Sequence, residues 1–117
     1  MNAEDKDKIE KIIADRKKAH HFYHDRSAVY RAFLDMEGAT FTDGHLEKKY
    51  KEMIAIGISI RINCESCLEW HIKQALDHGA SREEILESID VGIEMGGGPA
   101  TVSSRFAMKV LEYYLGE

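Results

Sequence analysis

The sequence predicts an all-α fold of five or six helices. Three observations favour it. Apolar residues recur at three- and four-residue spacing over much of the chain, residues that cap helices precede several of these stretches, and the single proline, Pro99, lies in a glycine-rich break. The chain contains no low-complexity linker and no internal repeat, so we expect a single domain over residues 1–117.

The composition of the chain argues against some classes of function. The chain has a net charge of −5 and no run of eighteen apolar residues, which argues against a nucleic-acid partner and against a membrane-spanning helix. The first residues do not have the pattern of a signal or transit peptide, so we expect a cytoplasmic location. The one basic cluster, in residues 16–21, is interpreted as a solvated helix face in preference to an anion site.

Helix signals in the first third of the chain are clear. Residues 5–24 have the apolar spacing of an amphipathic helix. Ser27 is expected to cap a second helix that runs through Met36 and ends at Gly38. Thr42 or Asp43 can cap the helix that follows.

The last third has equally clear boundaries. The stretch SREE places Glu84 three residues after Ser81, which is the spacing of a capping box. The stretch GGGP at residues 96–99 breaks the chain, and residues 100–115 are predicted to form the final helix.

The stretch IAIGISIRI, residues 54–62, conflicts with this pattern. Its isoleucines alternate with other residues, and local rules favour a β-strand. However, helix formers without a breaker precede it, and a lone strand among helices has no partner for its backbone. We therefore predict a helix over about residues 45–61. Because residues 53–62 are apolar nearly all round the helix, we expect this part to be buried within a homo-oligomer.

Four residues with redox and proton-transfer chemistry lie on either side of the predicted reversal at residues 61–63. If two antiparallel helices meet there, Glu52 lies level with His71. Cys67 and His71 are four residues apart and so lie on one helix face. Cys64 and Cys67 are close enough for a disulfide if their side chains face each other. The second helix is expected over about 64–78, with its N-cap immediately before it, at position 63.

Each residue type has a chemical role in such a cluster. A helix N-terminus and a nearby imidazolium favour the thiolate, which is the nucleophilic form of cysteine. His71 can take up the thiol proton, while Glu52 orients the imidazole ring and stabilises its charged form. A second cysteine can capture an oxidised first cysteine as a disulfide.

The stretch KEMIAIGISIRINCESCLEWH resembles the core of the alkylhydroperoxidase D-like (AhpD-like) branch of the carboxymuconolactone decarboxylase family. The family signature is a glutamate, a C-x-x-C motif twelve positions later and a histidine four residues after the second cysteine. Glu52, Cys64, Cys67 and His71 match it, and the likeness covers about residues 30–110.

The resemblance implies a helical fold, assembly into trimers or hexamers, and thiol-dependent reduction of small-molecule peroxides or disulfides. It also implies a dithiol electron-donor protein and a set of roles: Cys67 as the activated thiol, Cys64 as its partner, and His71 with Glu52 as a proton relay. One position departs from the pattern. Peroxidase members have a second histidine where this chain has Ser66, so dithiol–disulfide exchange gains weight over peroxide reduction.

Other interpretations of the cysteine pair remain open. The pattern C-x2-C-x3-H supplies three ligands for zinc, with Glu52 or a distant histidine as the fourth. The chain would then be a zinc-stabilised or structural helical assembly module without redox turnover. A thioredoxin-like module, with a strand before the C-x-x-C motif, and a pair of merely buried cysteines are further alternatives. On the favoured interpretation no cofactor is needed beyond the redox pair itself.

Overall fold

The structure is a computed structural model that describes residues 1–116, and within that range the chain forms six α-helices and no strand. The helices are α1 (Ala3–His24), α2 (Ala28–Thr40), α3 (Lys48–Ile62), α4 (Glu65–Asp77), α5 (Arg82–Gly96) and α6 (Gly98–Leu115). Helix α3 is central and packs against α4, α5 and α6, while α1 packs on α4 and α6. The predicted all-α fold is confirmed. None of these six helices is both long and apolar enough to cross a membrane.

Side-chain caps determine where α2 and α5 begin, as the sequence predicts. Ser27 Oγ accepts a hydrogen bond from the Tyr30 N–H at 3.0 Å. At the start of α5, Ser81 Oγ accepts from the Glu84 N–H at 3.0 Å, and Glu84 Oε1 accepts from the Ser81 N–H at 2.9 Å. This reciprocal pair is the predicted capping box. The bond from the Ser81 backbone is also the main reason why the pKa of Glu84 is lowered.

Helix α2 continues past Gly38 to Thr40, so the predicted end at Gly38 is wrong. A glycine inside a helix costs only about 1 kcal/mol relative to alanine, which one further turn of hydrogen bonds offsets. That turn closes where the Phe41 N–H donates to the Glu37 carbonyl at 3.0 Å.

The isoleucine-rich stretch lies in α3, and its alternation is the result of two helix rows. Ile56 and Ile60 are fully buried, whereas Ile54, Ile58 and Ile62 are 53%, 55% and 62% exposed. Members of each row are four residues apart, the spacing of neighbours on one face of a helix. The inner row builds the core, and the outer row leaves an apolar strip on the surface.

Two glycines let α3 and α5 approach each other closely. A Cβ atom added to Gly92 would lie 2.6 Å from the Gly57 carbonyl oxygen and 2.7 Å from Ile60 Cβ. A Cβ atom added to Gly57 would lie 3.2 Å from the Ser88 carbonyl oxygen. Because a side chain at Gly92 has no room, this backbone contact fixes the position of α3 against α5.

A buried carboxylate joins α1, α4 and α6. Glu69 is fully buried, pairs with Arg16 Nη2 and accepts a hydrogen bond from the Tyr114 hydroxyl. Burial, and then this hydrogen bond, raises the pKa of Tyr114, so the hydroxyl keeps its proton. The Arg16 guanidinium also lies 4.9 Å from the centre of the Trp70 ring. The interpretation of residues 16–21 as a solvated face is therefore wrong at Arg16.

We predict that Tyr114→Phe lowers the free energy of unfolding by about 1–3 kcal/mol near neutral pH, because Glu69 loses a buried donor. The raised pKa of Tyr114 means that its stabilising contribution is complete below pH about 10, the unfolded value, and is lost as the pH rises above it. Urea unfolding from pH 7 to 11 should therefore show a smaller alkaline loss in the variant than in the wild type.

Tyr113→Phe is the matched control, because the Tyr113 hydroxyl donates to the exposed Glu10 at 3.1 Å. It should destabilise the protein less than Tyr114→Phe. Equal effects of the two substitutions would contradict a special role for the Glu69 cluster.

Candidate functional site

Asn63 closes the tight reversal between α3 and α4. Its backbone is left-handed, with φ 57° and ψ 51°, a conformation that asparagine adopts more readily than most residues other than glycine. Asn63 Oδ1 accepts a hydrogen bond from Ser103 Oγ at 2.9 Å, which ties the reversal to α6. The expectation that Asn63 caps α4 is wrong: Asn63 is the C-cap of α3, and Cys64 takes the N-cap position of α4.

Cys64 and Cys67 form a disulfide at the N-terminus of α4, with their Cα atoms 5.2 Å apart. Both residues are half-buried. The Cys67 N–H donates to Cys64 Sγ at 3.3 Å, so the Cys64 sulfur lies at the positive end of the α4 dipole. The disulfide therefore spans the first turn of α4, from its N-cap to Cys67.

Glu52 on α3 contacts His71 on α4, as expected from their equal distance to the reversal. Glu52 Oε1 lies 2.6 Å from His71 Nδ1, and the two side chains are 1% and 14% exposed. Glu52 Oε2 lies 3.3 Å from Lys48 Nζ. An ionised Glu52 is acceptor-only, so the contact requires the proton on His71 Nδ1. The other ring nitrogen, Nε2, is then left to exchange protons.

Two residues that were not predicted from the sequence, Lys48 and Phe41, also lie beside this pair. Lys48 is four residues before Glu52 and so lies one turn earlier on the same face, a spacing that could have revealed it. Phe41 follows α2, and its ring centre lies 5.3 Å from that of His71. No local pattern predicts Phe41, because its contact with α4 depends on how the α2–α3 connection folds back.

Two alternatives to a redox pair are a metal site and a thioredoxin-like module. Over residues 1–116, no group of three or more histidine, cysteine, aspartate or glutamate side chains is placed to hold a metal ion. A thioredoxin-like module is wrong, since the described chain has no strand before the C-x-x-C motif. Ser66, between the two cysteines, is exposed.

Fold and site together define a class: small all-α proteins in which a cysteine pair at a helix N-terminus adjoins a glutamate–histidine contact across a helical hairpin. The sequence profile of the Carboxymuconolactone decarboxylase family matches residues 27–110. The chain belongs to this family, and its Glu-Cys-Cys-His constellation is consistent with the AhpD-like branch.

Two curated relatives are each 38% identical to this chain. An uncharacterized protein from Cupriavidus necator aligns over 87 residues, which is 74% of this chain and 74% of the relative. An uncharacterized protein from the cox locus of Paracoccus denitrificans aligns over 81 residues, which is 69% of this chain and 73% of the relative.

Solved structures of the family share the fold. A carboxymuconolactone decarboxylase family protein from Legionella pneumophila superposes with a TM-score of 0.85 at 29% identity, covering 92% of this chain and 97% of the other. A family protein from Thermotoga maritima, for which a part in the antioxidative response has been suggested, gives a TM-score of 0.84 at 25% identity, covering 91% of each chain.

We predict that Glu52→Gln releases the His71 ring from a single tautomer. An amide of the same size cannot balance the charge of Lys48, and it can present either a donor or an acceptor to His71. The ring nitrogen chemical shifts of His71 should move from those of the Nδ1–H form to those of a mixture in ¹⁵N NMR. The free energy of unfolding should fall by about 1–3 kcal/mol.

Glu47→Gln is the control for this substitution, because Glu47 is exposed at the start of α3 and its side chain makes no capping hydrogen bond. Glu47→Gln should change neither the His71 ring nitrogen shifts nor the free energy of unfolding. Unaltered His71 nitrogen shifts in Glu52→Gln would mean that Glu52 does not orient the ring.

Proposed function

We propose that this protein is a thiol-dependent oxidoreductase that cycles Cys64 and Cys67 between dithiol and disulfide. One observation carries the proposal: the Glu52–His71 contact at 2.6 Å lies across the same hairpin that holds the cysteine pair. Cys67 and His71 are one helical turn apart on α4, a spacing that supports a role for the imidazole in exchanging a proton with that thiol.

The chemistry of a peroxide substrate would run in two steps. The Cys67 thiolate attacks the terminal peroxide oxygen, the O–O bond breaks, and the alcohol leaves with a proton from the His71 imidazolium. The Cys67 sulfenic acid then condenses with the Cys64 thiol, which forms the S–S bond and releases water. An external dithiol protein regenerates the pair by thiol–disulfide exchange and is itself oxidised.

Reduction of a disulfide substrate requires fewer groups of the site than reduction of a peroxide. The thiolate attacks one sulfur, a mixed disulfide forms, and the second cysteine of the pair displaces the remaining thiol. Ser66 occupies the position at which peroxidase members of the AhpD-like branch have a second histidine, and a hydroxyl cannot act as a base near neutral pH. We therefore expect disulfide exchange to be faster than peroxide reduction. A role in oxidative defence in the cytoplasm fits the suggestion made for the Thermotoga maritima relative.

We also propose that the chain works as a homo-oligomer, a trimer or hexamer. Ile54 and Ile58 of the outer isoleucine row of α3, with the exposed Val91 and Met95 of α5, border an apolar groove of about 470 Å³. Apolar strips of this kind on a helix pair mark surfaces that another chain covers. A second copy is the partner that the all-round apolar character of α3 favours, since a symmetric assembly would bury the strip in every subunit.

The first functional prediction concerns the thiol that attacks. Cys67→Ser should lower dithiothreitol-dependent reduction of both cumene hydroperoxide and a small aromatic disulfide at least about a hundredfold, because no nucleophile remains one turn from His71. Ser66→Ala is the control and should retain activity. If Cys67→Ser leaves both turnovers unchanged, the proposed function is wrong.

The second functional prediction concerns assembly. Ile58→Glu introduces a charge at the centre of the α3 strip, and burying an unpaired charge is strongly unfavourable. Light scattering at micromolar concentration should show the wild type as an oligomer and the variant as smaller species. Val102→Glu, at a 55% exposed position on α6 outside the groove, should leave the mass unchanged. A wild-type monomer would contradict the proposal.

A further inference from the structure

A second concave site lies between α1, α2, α4 and α6, and neither cysteine nor His71 lines it. Its volume is about 790 Å³, within the range of about 300–1,000 Å³ that is typical of small-molecule sites. Aromatic rings dominate its walls, which include Tyr30, Phe33, Trp70, Tyr113 and Tyr114. Rings of this kind offer flat apolar area that suits a flat apolar ligand.

The cavity exists because α2 stands away from the rest of the chain. Among the described helices, α2 packs only against α1. Phe33 on the α2 wall is 50% exposed, while Trp70 on the opposite α4 wall is half-buried. The space between these walls is therefore open to a ligand, and a ligand that touches both would hold α2 against the body of the protein.

The lining is more basic than the chain as a whole. Arg16, Lys17 and Lys73 are its three permanent cations, and Glu37 is its one carboxylate, whereas the whole chain has a net charge of −5. Lys73 is paired with Asp77 at 2.7 Å.

Two of the three cations in the lining have a donor group without a partner within residues 1–116. The guanidinium of Arg16 uses Nη2 for its pair with Glu69, but its Nη1 is buried without a hydrogen-bond partner. The Lys17 ammonium has no ion-pair partner in that range and is exposed. Because Arg16 Nη1 is buried and the Lys17 ammonium is exposed, Lys17 is the cation of the two that a ligand in the cavity can reach.

We propose that this cavity binds an aromatic anion, with the apolar ring system held between Phe33 and Trp70 and the acidic group at Lys17. Aromatic rings and positive charges line the same cavity, and an aromatic anion would use both. A neutral apolar molecule would use only the rings, and an inorganic anion would use only the cations. On this proposal Lys17, which is exposed as the sequence predicts for a solvated helix face, has a role in ligand binding as well. The proposal does not depend on redox turnover.

The experiment uses two fluorescent probes of similar shape with the full-length, assembled protein. 1-Anilinonaphthalene-8-sulfonate carries a negative charge, and N-phenyl-1-naphthylamine is its neutral analogue. Trp70, the only tryptophan, lines this cavity, so a probe bound there should quench its emission, and loss of that quenching in Lys17→Glu assigns it to the cavity. We expect the sulfonate probe to quench Trp70 saturably and to bind more tightly than the neutral probe.

Lys17→Glu and Lys18→Glu provide a matched pair. They make the same change in net charge at adjacent exposed residues, but only Lys17 lines the cavity. Lys17→Glu should weaken binding of the sulfonate probe about fivefold or more. Lys18→Glu should weaken it less than about twofold. Binding of the neutral probe should change less than about twofold in both. Hydrogen exchange of α2 should slow when the sulfonate probe is bound.

Three results would overturn the proposal. Equal weakening by the two variants would mean that the probe responds to overall charge. Saturation without Trp70 quenching would place the probe elsewhere, for example on the α3–α5 groove. Absence of binding, together with slow hydrogen exchange of α2 in the assembled protein without any probe, would mean that a second copy of the chain fills the cavity.

Discussion

The buried carboxylate of Glu52 is the constraint on which the site depends. A carboxylate that is 1% exposed is strongly unfavourable unless it is paired and hydrogen-bonded. Its partners come from two directions, His71 from the next helix and Lys48 from one turn earlier on its own. Because only a close antiparallel α3–α4 pair lets Glu52 reach His71, the same interaction that satisfies the charge also sets the ring orientation. The left-handed Asn63 makes that hairpin possible.

Two physical effects favour different cysteines as the attacking thiolate. Cys64 is the N-cap of α4 and its sulfur accepts the Cys67 N–H, so the helix dipole favours a thiolate at Cys64. Cys67 is one turn from His71, and on the proposed mechanism proton exchange with the imidazole favours attack by Cys67. The family resemblance assigns attack to Cys67. On this account the effect of the Glu52–His71 pair on Cys67 is larger than the effect of the helix dipole on Cys64. Without Glu52, the preference for attack by Cys67 would be lost.

Much of the fold and the geometry of the site could be predicted from the sequence, because both depend on local spacing. The capping box at Ser81 and the level positions of Glu52 and His71 follow from counting residues along helices. The isoleucine alternation was misleading because period-two spacing is also two rows of helix neighbours, and only the rest of the fold decides between them. Arg16 could not be placed from the sequence, since its partner Glu69 lies on a helix far away in the chain. The catalytic roles remain predictions.

The most direct test of the account is the rate at which each reduced thiol is alkylated across a pH series, with the site assigned by mass spectrometry. The account predicts that Cys67 in the wild type becomes reactive at lower pH than Cys64, and that Glu52→Gln abolishes or reverses this order. If Cys64 is the more reactive thiol in the wild type, or if Glu52→Gln leaves the order unchanged, the buried carboxylate does not control the chemistry of the pair.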